Sequence, residues 1–181
     1  NDECSLGDWT VNETKLPGGL KYLADEINKL GMKFGIWMEP EMVSRDSELF
    51  RNHPDWAIQV EGRELVLSRA QCVLDITREE VFNYVYECIS KVLKSANIEY
   101  LKWDMNRPLS DLGSLKYNGD ASGELFHRYV LALYALQEKL VKDFPYLLFE
   151  NCSSGGARFD PGMLYFSPQI WCSDDCDPIE R

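Results

Sequence analysis

A cation, a carboxylate and an amide alternate along one short stretch of this chain. Tyr100 to Arg107 reads Tyr-Leu-Lys-Trp-Asp-Met-Asn-Arg, which predicts a strand that runs into a loop. Successive strand residues point to opposite faces, so Lys102, Asp104 and Asn106 share one side. Unpaired charges are costly to bury, so we expect this face to do chemistry. An ammonium beside Asp104 favours an ionised carboxylate, which suits a nucleophile. A structural Lys-Asp pair is the alternative.

A second group of acids lies near the end of the chain. Asp174, Asp175 and Asp177 follow Trp171 within a few positions. Neighbouring carboxylates repel one another, which favours a proton on one of them, and a protonated carboxyl can serve as a general acid. A solvated loop, or for Asp177 a helix cap, is the alternative.

Two carboxylates on different strands, accompanied by tryptophans, are typical of a sugar-hydrolysing site. Glycosidases pair a general acid with a nucleophile or base. Trp37 and Trp171 offer aromatic faces for a sugar ring, or they belong to the core. Trp103 points to the opposite side from Asp104 and is expected to be core.

The stretch from Cys152 to Arg158 is rich in small residues, which let a backbone approach a ligand closely. It lacks the lysine and hydroxyl residue of a phosphate-binding P-loop, and an ordinary strand-to-helix turn is the alternative. Arg69, taken alone, is more typical of a surface residue or salt bridge. His53 and His127 show no triad context.

Apolar residues at a spacing near 3.6 predict three helices that position these groups. The first follows Pro17 and ends before Gly31. The second begins at a capping box formed by Thr77 and Glu80. The third runs over about Ser122–Asp143.

Short apolar runs between the helices predict about five strands, and the alternation of strands and helices indicates a parallel sheet. The chemically loaded residues recur at the carboxyl ends of these strands, as in the active sites of (β/α)₈ barrels. A doubly wound nucleotide-binding sheet lacks support because no Gly-rich phosphate loop is present. The predicted fold is therefore α/β, a partial (β/α)₈ TIM barrel with about five of eight strands. The strands are Met32–Met38, Gln71–Ile76, Ile98–Asp104, Tyr146–Cys152 and Gln169–Ser173.

Composition narrows the class of protein. The chain has 181 residues, 45% of them hydrophobic, and a net charge of -11. This charge disfavours nucleic acid and anionic membrane surfaces as partners and favours a neutral substrate. Six cysteines without a CxxC pair or clustered histidines disfavour a structural zinc site and favour reduced thiols in a cytoplasmic protein. The absence of an initial Met and the stop after the acidic cluster predict a fragment of a longer protein.

Four motifs, in this order and spacing, strongly resemble the α-galactosidases of glycoside hydrolase family 36. The resemblance covers essentially the whole chain. The motifs are Gly35-Ile-Trp-Met-Glu-Pro-Glu-Met42, Tyr100-Leu-Lys-Trp-Asp-Met-Asn-Arg107, Cys152-Ser-Ser-Gly-Gly-Ala-Arg-Phe-Asp-Pro-Gly-Met163 and Pro168-Gln-Ile-Trp-Cys-Ser-Asp-Asp-Cys-Asp177.

This resemblance implies a (β/α)₈ catalytic barrel and retaining hydrolysis of terminal α-galactosides, without a cofactor or metal. It implies that Asp104 is the nucleophile and Asp174 the acid/base. It also implies that residues 1–181 form the central part of the barrel, without the family's N-terminal β-sandwich and C-terminal β-domain, and that the complete protein is a homo-oligomer. The galactose pocket would be lined by Trp37, Arg69, Lys102, Asn106, Cys152, Gly155 and Trp171.

Alternatives remain open within and outside this activity. An α-N-acetylgalactosaminidase or a galactosyl transglycosidase fits the same scaffold, and an inactive carbohydrate-binding fragment is a further reading. The chain departs from the family pattern at Ala157, where a glycine is common, and an alanine fits there if its φ is negative. Cys172 and Cys176 stand where threonine is common, which bears on the shape of the subsite.

Overall fold

A computed structural model describes residues 4–117 and 123–180 of the chain. Within these residues, helices and strands alternate along much of the sequence. The helices are α1 (Gly19–Lys29), α2 (Glu48–Asn52), α3 (Glu79–Ser95), α4 (Leu125–Asp143) and α5 (Pro161–Phe166). The strands are β1 (Gly35–Met38), β2 (Met42–Ser44), β3 (Gln71–Val73), β4 (Tyr100–Asp104), β5 (Leu148–Cys152) and β6 (Gln169–Ile170).

Four strands form one parallel sheet in the order β1-β4-β5-β6. This confirms the predicted α/β class and agrees with part of a (β/α)₈ barrel. The fifth predicted strand belongs elsewhere, because β3 pairs antiparallel with β2 in a separate two-stranded sheet. The β2 strand follows β1 after a short connection, and β3 forms its backbone hydrogen bonds with β2. To lie parallel beside β1, β3 would need a crossover connection from it, usually through a substantial helix.

The helix ends differ from prediction at α3. This helix begins at Glu79 with Arg78 at its N-cap and no capping side chain, so the predicted capping box is wrong. The Thr77 hydroxyl donates instead to the buried carboxylate of Asp75, which removes it from the helix end. At the other boundary in question, Ser122, the predicted start of α4, lies outside the described residues.

One face of the parallel sheet packs against α3 and α4. Leu101, Trp103 and Phe149 alternate with the polar residues of β4 and β5, and all three are buried. They share one apolar cluster with Ile89 of α3 and Leu136 of α4. Burying each such side chain contributes roughly 1.5–3 kcal/mol, so this face holds the sheet in place. Trp103 is therefore confirmed as a core residue.

None of the helices among the described residues is long and apolar enough to span a membrane.

Candidate active site

The carboxyl ends of the parallel strands bring distant residues together. The register pairs Trp37 of β1 with Lys102 of β4, and it pairs Asp104 with Cys152 of β5. These side chains lie on the face of the sheet opposite the helices, because residues two apart on a strand share a face. The predicted grouping of Trp37, Lys102, Asp104 and Cys152 therefore follows from strand order and register.

Asp104 is buried, and an indole, a side-chain amide and a backbone N–H donate to its carboxylate. Trp37 Nε1 donates to Oδ2 at 2.9 Å, and Asn106 Nδ2 donates to the same oxygen at 2.7 Å. The backbone N–H of Met105 donates to Oδ1 at 2.9 Å. Hydrogen bonds to an ionised acceptor are short and directional, so these donors fix the carboxylate in one orientation.

Lys102 forms its ion pair with Glu150, with Nζ and Oε1 3.6 Å apart. The alternative of a structural Lys102–Asp104 pair is therefore wrong. Residues two apart on a strand are separated by about 6–7 Å, whereas the register places Lys102 directly opposite Glu150. Lys102 Nζ also lies 4.4 Å from the centre of the Trp171 ring, a cation–π contact.

Trp171 links this lysine to the acidic segment. Its Nε1 donates to Asp174 Oδ1 at 2.9 Å, and the Asp174 side chain is exposed. The face of the Trp171 ring therefore contacts Lys102, while its Nε1 binds Asp174. This arrangement places Asp174 one indole ring away from the face that carries Asp104.

The loop after β5 is held closely against the segment after β6. Gly155 has a φ of 85°, and a Cβ built there would lie 3.0 Å from Ser173 Cα. The Gly156 N–H donates to Cys172 O at 3.1 Å. Glycine thus serves a close approach between two backbones, which positions the segment containing Asp174. Ala157 is not among the residues with positive φ, so an alanine fits at this position of the loop.

Cys152 lies beside the candidate nucleophile. Burial raises the pKa of its thiol to about 11, and the Asp104 carboxylate, which accepts a hydrogen bond from the thiol, adds to the increase. A thiol with such a pKa stays protonated near neutrality and acts as a donor. Cys152 therefore suits a hydrogen-bonding role and not a nucleophilic one.

Arg69 sits in a strained bend. Arg69 and Ala70 have φ values of 53° and 59°, a conformation that costs non-glycine residues about 1–3 kcal/mol each. Buried Arg107 spans the bend by donating to Val66 O at 3.0 Å and to Gln71 O. The strain and the clamp are typical of a functional position, and Arg107 is a residue that sequence reasoning did not select.

Glu39 directly follows β1 and is one of the chemically loaded residues at strand ends, although it was not predicted to line the pocket. It is fully buried, and its Oε1 accepts the Asn106 N–H at 2.9 Å. Burial raises the pKa of Glu39 and the Asp104 carboxylate adds to the increase, whereas hydrogen bonds from Asn106 and the charge of Arg69 oppose it. The position of Glu39 at a strand end was the available signal.

Glu41 anchors the site from the helix side of the sheet. Its carboxylate accepts hydrogen bonds from Trp103 Nε1 at 2.7 Å and from Tyr129 OH at 2.6 Å. Arg158 Nη1 pairs with the same carboxylate at 2.8 Å. Because Arg158 belongs to the loop that carries Gly155, this partly buried pair ties that loop to β4 and α4.

The chain is similar over residues 1–181 to the protein family described as melibiase. α-Galactosidase AgaA of Geobacillus stearothermophilus is 52% identical over 181 residues, which is 100% of this chain and 25% of that protein. α-Galactosidase 1 of Pediococcus pentosaceus is 49% identical over 100% of this chain and 25% of its own length. The chain thus spans about a quarter of the length of the curated relatives it matches.

Solved structures match the fold closely. The structure of AgaA, a glycoside hydrolase family 36 α-galactosidase, gives a TM-score of 0.95 at 52% identity, covering 98% of this chain and 25% of that one. The α-galactosidase of Lactobacillus brevis gives a TM-score of 0.97 at 46% identity, covering 100% of this chain and 24% of its own. Variants of AgaA have been solved in complex with raffinose and with stachyose.

Proposed function

This chain belongs to the melibiase family, whose model matches residues 1–181, and on that basis we propose that it is the central part of the catalytic barrel of a retaining α-galactosidase. The observation that carries the proposal is the buried carboxylate of Asp104. It lies at the end of a parallel strand, with Trp37 Nε1 and Asn106 Nδ2 fixing one of its oxygens. Such an oriented carboxylate suits attack on a sugar carbon.

The complete enzyme would contain further strands of the barrel. This chain spans about a quarter of its curated relatives, and its parallel sheet has β1 and β6 as outer strands. A (β/α)₈ barrel closes eight parallel strands into a ring. We therefore assign catalysis to the full-length protein, with this chain supplying both catalytic carboxylates.

The proposed mechanism is double displacement. An oxygen of Asp104 attacks the anomeric carbon, the bond from that carbon to the glycosidic oxygen breaks, and the Asp174 carboxyl gives its proton to the leaving oxygen. Asp174 then removes a proton from water, whose oxygen attacks the same carbon and releases Asp104. Two inversions at one carbon give net retention, and no cofactor or metal takes part.

The residues around Asp104 would bind the terminal galactose. Trp37 and Trp171 offer partly exposed ring surfaces, and Lys102 and Arg69 offer cationic donors for sugar hydroxyls. The remaining proposed pocket residues are Asn106, Cys152 and Gly155.

The known complexes of a relative support the assignment of both aspartates. The AgaA variants solved with raffinose and with stachyose each carry a substituted aspartate. These two aspartates are as far apart in sequence as Asp104 and Asp174. Raffinose and stachyose are the substrates we propose for the full-length protein.

Retention carries a geometric requirement. The carboxyl groups of Asp104 and Asp174 should be roughly 5–5.5 Å apart in the full-length enzyme, the separation found in retaining glycosidases. A crystal structure of that enzyme measures the distance directly. A separation of about 9 Å with both side chains ordered would indicate inversion.

The decisive experiment is an aryl α-galactoside assay on the full-length protein. We expect Asp174→Ala to lower kcat/KM by roughly 10²–10⁴-fold, the usual worth of a general acid, and Asp104→Ala to lower it further. Added azide should restore turnover in both variants, giving a β-galactosyl azide with Asp104→Ala and an α-galactosyl azide with Asp174→Ala.

Asp175→Ala is the matched control, because Asp175 is the exposed neighbour of Asp174. We expect it to retain activity. Full activity in Asp104→Ala or Asp174→Ala contradicts the proposal, and loss of activity in Asp175→Ala with an active Asp174→Ala moves the acid/base role to Asp175. Product analysis with raffinose separates hydrolysis from galactosyl transfer.

A further inference from the structure

Glu39 is a buried titratable group that the mechanism above leaves without a role. It follows Trp37 by two positions, so both side chains lie on the face of the sheet that carries Asp104. Its side chain is fully buried. A carboxylate in such a position, close to the like charge of Asp104, is unfavourable for stability unless its hydrogen bonds compensate. Groups that are retained at such a cost cluster at functional sites.

One oxygen of Glu39 connects it to the candidate nucleophile through a single residue. Glu39 Oε1 accepts the backbone N–H of Asn106 at 2.9 Å. The side-chain amide of Asn106 in turn donates to Asp104 Oδ2 at 2.7 Å. The backbone of Asn106 is therefore fixed by Glu39, and its side chain holds the carboxylate that would attack the sugar.

The other oxygen of Glu39 connects it to the bend that carries Arg69. Glu39 Oε2 accepts a hydrogen bond from Gln71 Nε2 at 3.2 Å. The charge of Arg69 lies close enough to lower the pKa of Glu39 against the effect of burial. Glu39 thus joins the end of β1, the loop after β4 and the Arg69 bend, which meet at no other single side chain described above.

We propose that Glu39 is a positioning residue for the nucleophile, because its carboxylate oxygen holds the Asn106 backbone so that the Asn106 amide aligns Asp104 with the anomeric carbon. The proposal rests on the proposed function, in which Asp104 attacks the sugar. Glu39 touches neither Asp104 nor the sugar in this role and acts through Asn106. A small misplacement of a reacting group lowers the rate of reaction far more than it lowers substrate affinity.

The test compares three variants of the full-length protein in steady-state kinetics with an aryl α-galactoside. Glu39→Ala removes the acceptor, and we expect kcat to fall about 10- to 100-fold with a smaller change in KM. Glu39→Gln keeps an oxygen at the same reach for the Asn106 N–H, so it should retain kcat within about threefold. Gln71 Oε1 has no hydrogen-bond partner, so the Gln71 amide can turn to accept from the substituted amide.

Glu39→Asp decides the question if Glu39→Ala does not fold. It keeps the negative charge but withdraws the acceptor by one methylene, so it should lose kcat as Glu39→Ala does. The contrast between an impaired Asp variant and a working Gln variant separates the position of the acceptor from its charge.

A double-mutant cycle with Asn106→Ala shows whether Glu39 acts through Asn106. In the Asn106→Ala background, the further loss of kcat on removing Glu39 should be much smaller than in the wild type, because contacting residues of one network are non-additive. Asp75→Asn is the matched control: Asp75 is also buried, but its hydrogen bonds lead to Thr77 and Ser114. It should lower the melting temperature and leave kcat unchanged.

Unchanged kcat in a folded Glu39→Ala or Glu39→Asp protein overturns the inference, as does full additivity with Asn106→Ala or a Gln variant as slow as the Ala variant. Asp104→Ala belongs in the same series. If Asp104→Ala remains active, the proposed function itself fails. If it is inactive while Glu39→Ala is fully active, the positioning role alone is wrong.

Discussion

At the scale of single residues, neutral hydrogen-bond donors orient the carboxylate of the candidate nucleophile. The Asp104 carboxylate receives hydrogen bonds from an indole, an amide and a backbone N–H. Lys102, the nearby cation on its strand, is occupied by Glu150 and by the Trp171 ring. Neutral donors orient a carboxylate without forming an ion pair that an attack would have to break. This arrangement leaves the charge of Asp104 available for the anomeric carbon.

The Cys152 thiol offers a test at this scale. Its pKa of about 11 and its burial predict slow alkylation, because the thiolate is the reactive form. In the folded protein at pH 8, iodoacetamide should label exposed Cys176 well before Cys152, and labelling of Cys152 should accelerate as the pH rises towards 11. Peptide mass spectrometry over time measures both sites. Labelling of Cys152 as fast as Cys176 in folded protein would contradict this account of the thiol.

At the scale of elements, the parallel strands bring the site residues together, and one glycine allows a close backbone contact that positions the acidic segment. The register of β1, β4 and β5 brings Trp37, Asp104 and Cys152 to one edge of the sheet. The acidic segment follows β6, a strand of two residues, and its position depends on the close approach of Gly155 to Ser173. The acidic segment is therefore held by backbone contact between two loops, whereas β4 and β5 are held by strand pairing.

Substitution of Gly155 tests this contact. Gly155→Ala forces a side chain into a left-handed conformation and against Ser173 Cα, at 3.0 Å, so the segment that carries Asp174 must shift. We expect a lower melting temperature and a loss of kcat/KM of about tenfold or more in the full-length protein.

Gly62→Ala is the matched control, because Gly62 has a similar φ of 75° with nothing within 4 Å of the added Cβ. It should cost about 1–2 kcal/mol of stability from backbone strain and leave kcat/KM unchanged. Equal effects of the two substitutions on activity would show that the approach to Ser173 does not position Asp174.

At the scale of the whole molecule, one face of the parallel sheet is covered by helices and the other is partly exposed. Helices α3 and α4 bury Leu101 and Phe149. On the opposite face, Trp37 is 44% exposed and Leu148 is 43% exposed. Outer strands and exposed apolar side chains favour association with further strands. The partly exposed face is what the remaining strands of the proposed barrel would enclose.

Comparison of this chain with the full-length protein tests the proposed enclosure. The isolated 181-residue chain should bind the dye ANS strongly and show no α-galactosidase activity, because its interior face and outer strands are uncovered. The full-length protein should bind little ANS and be active. The proposed enclosure would be contradicted if the isolated chain, as a monomer, bound no ANS and hydrolysed an aryl α-galactoside at the rate of the full-length protein.

Local sequence patterns were enough to predict which residues share a face of β4 and where β1, β4 and β5 end. Alternation along β4 separated Asp104 from Trp103, and helical spacing located α1, α3 and α4, because both periods are local properties of the backbone. The motifs were also sufficient to identify the family before any fold was known. These features depend on neighbours a few positions apart.

Which side chains contact one another depends on the three-dimensional fold. It paired Lys102 with Glu150, placed β3 in a separate sheet, and brought Glu39 to Asn106 across 67 positions of sequence. Such contacts follow from cross-strand register and from how loops pack, and a shift of one residue in register would exchange every partner. Local spacing carries no information about register, so the partners of Asp104 became visible only when the strands were aligned.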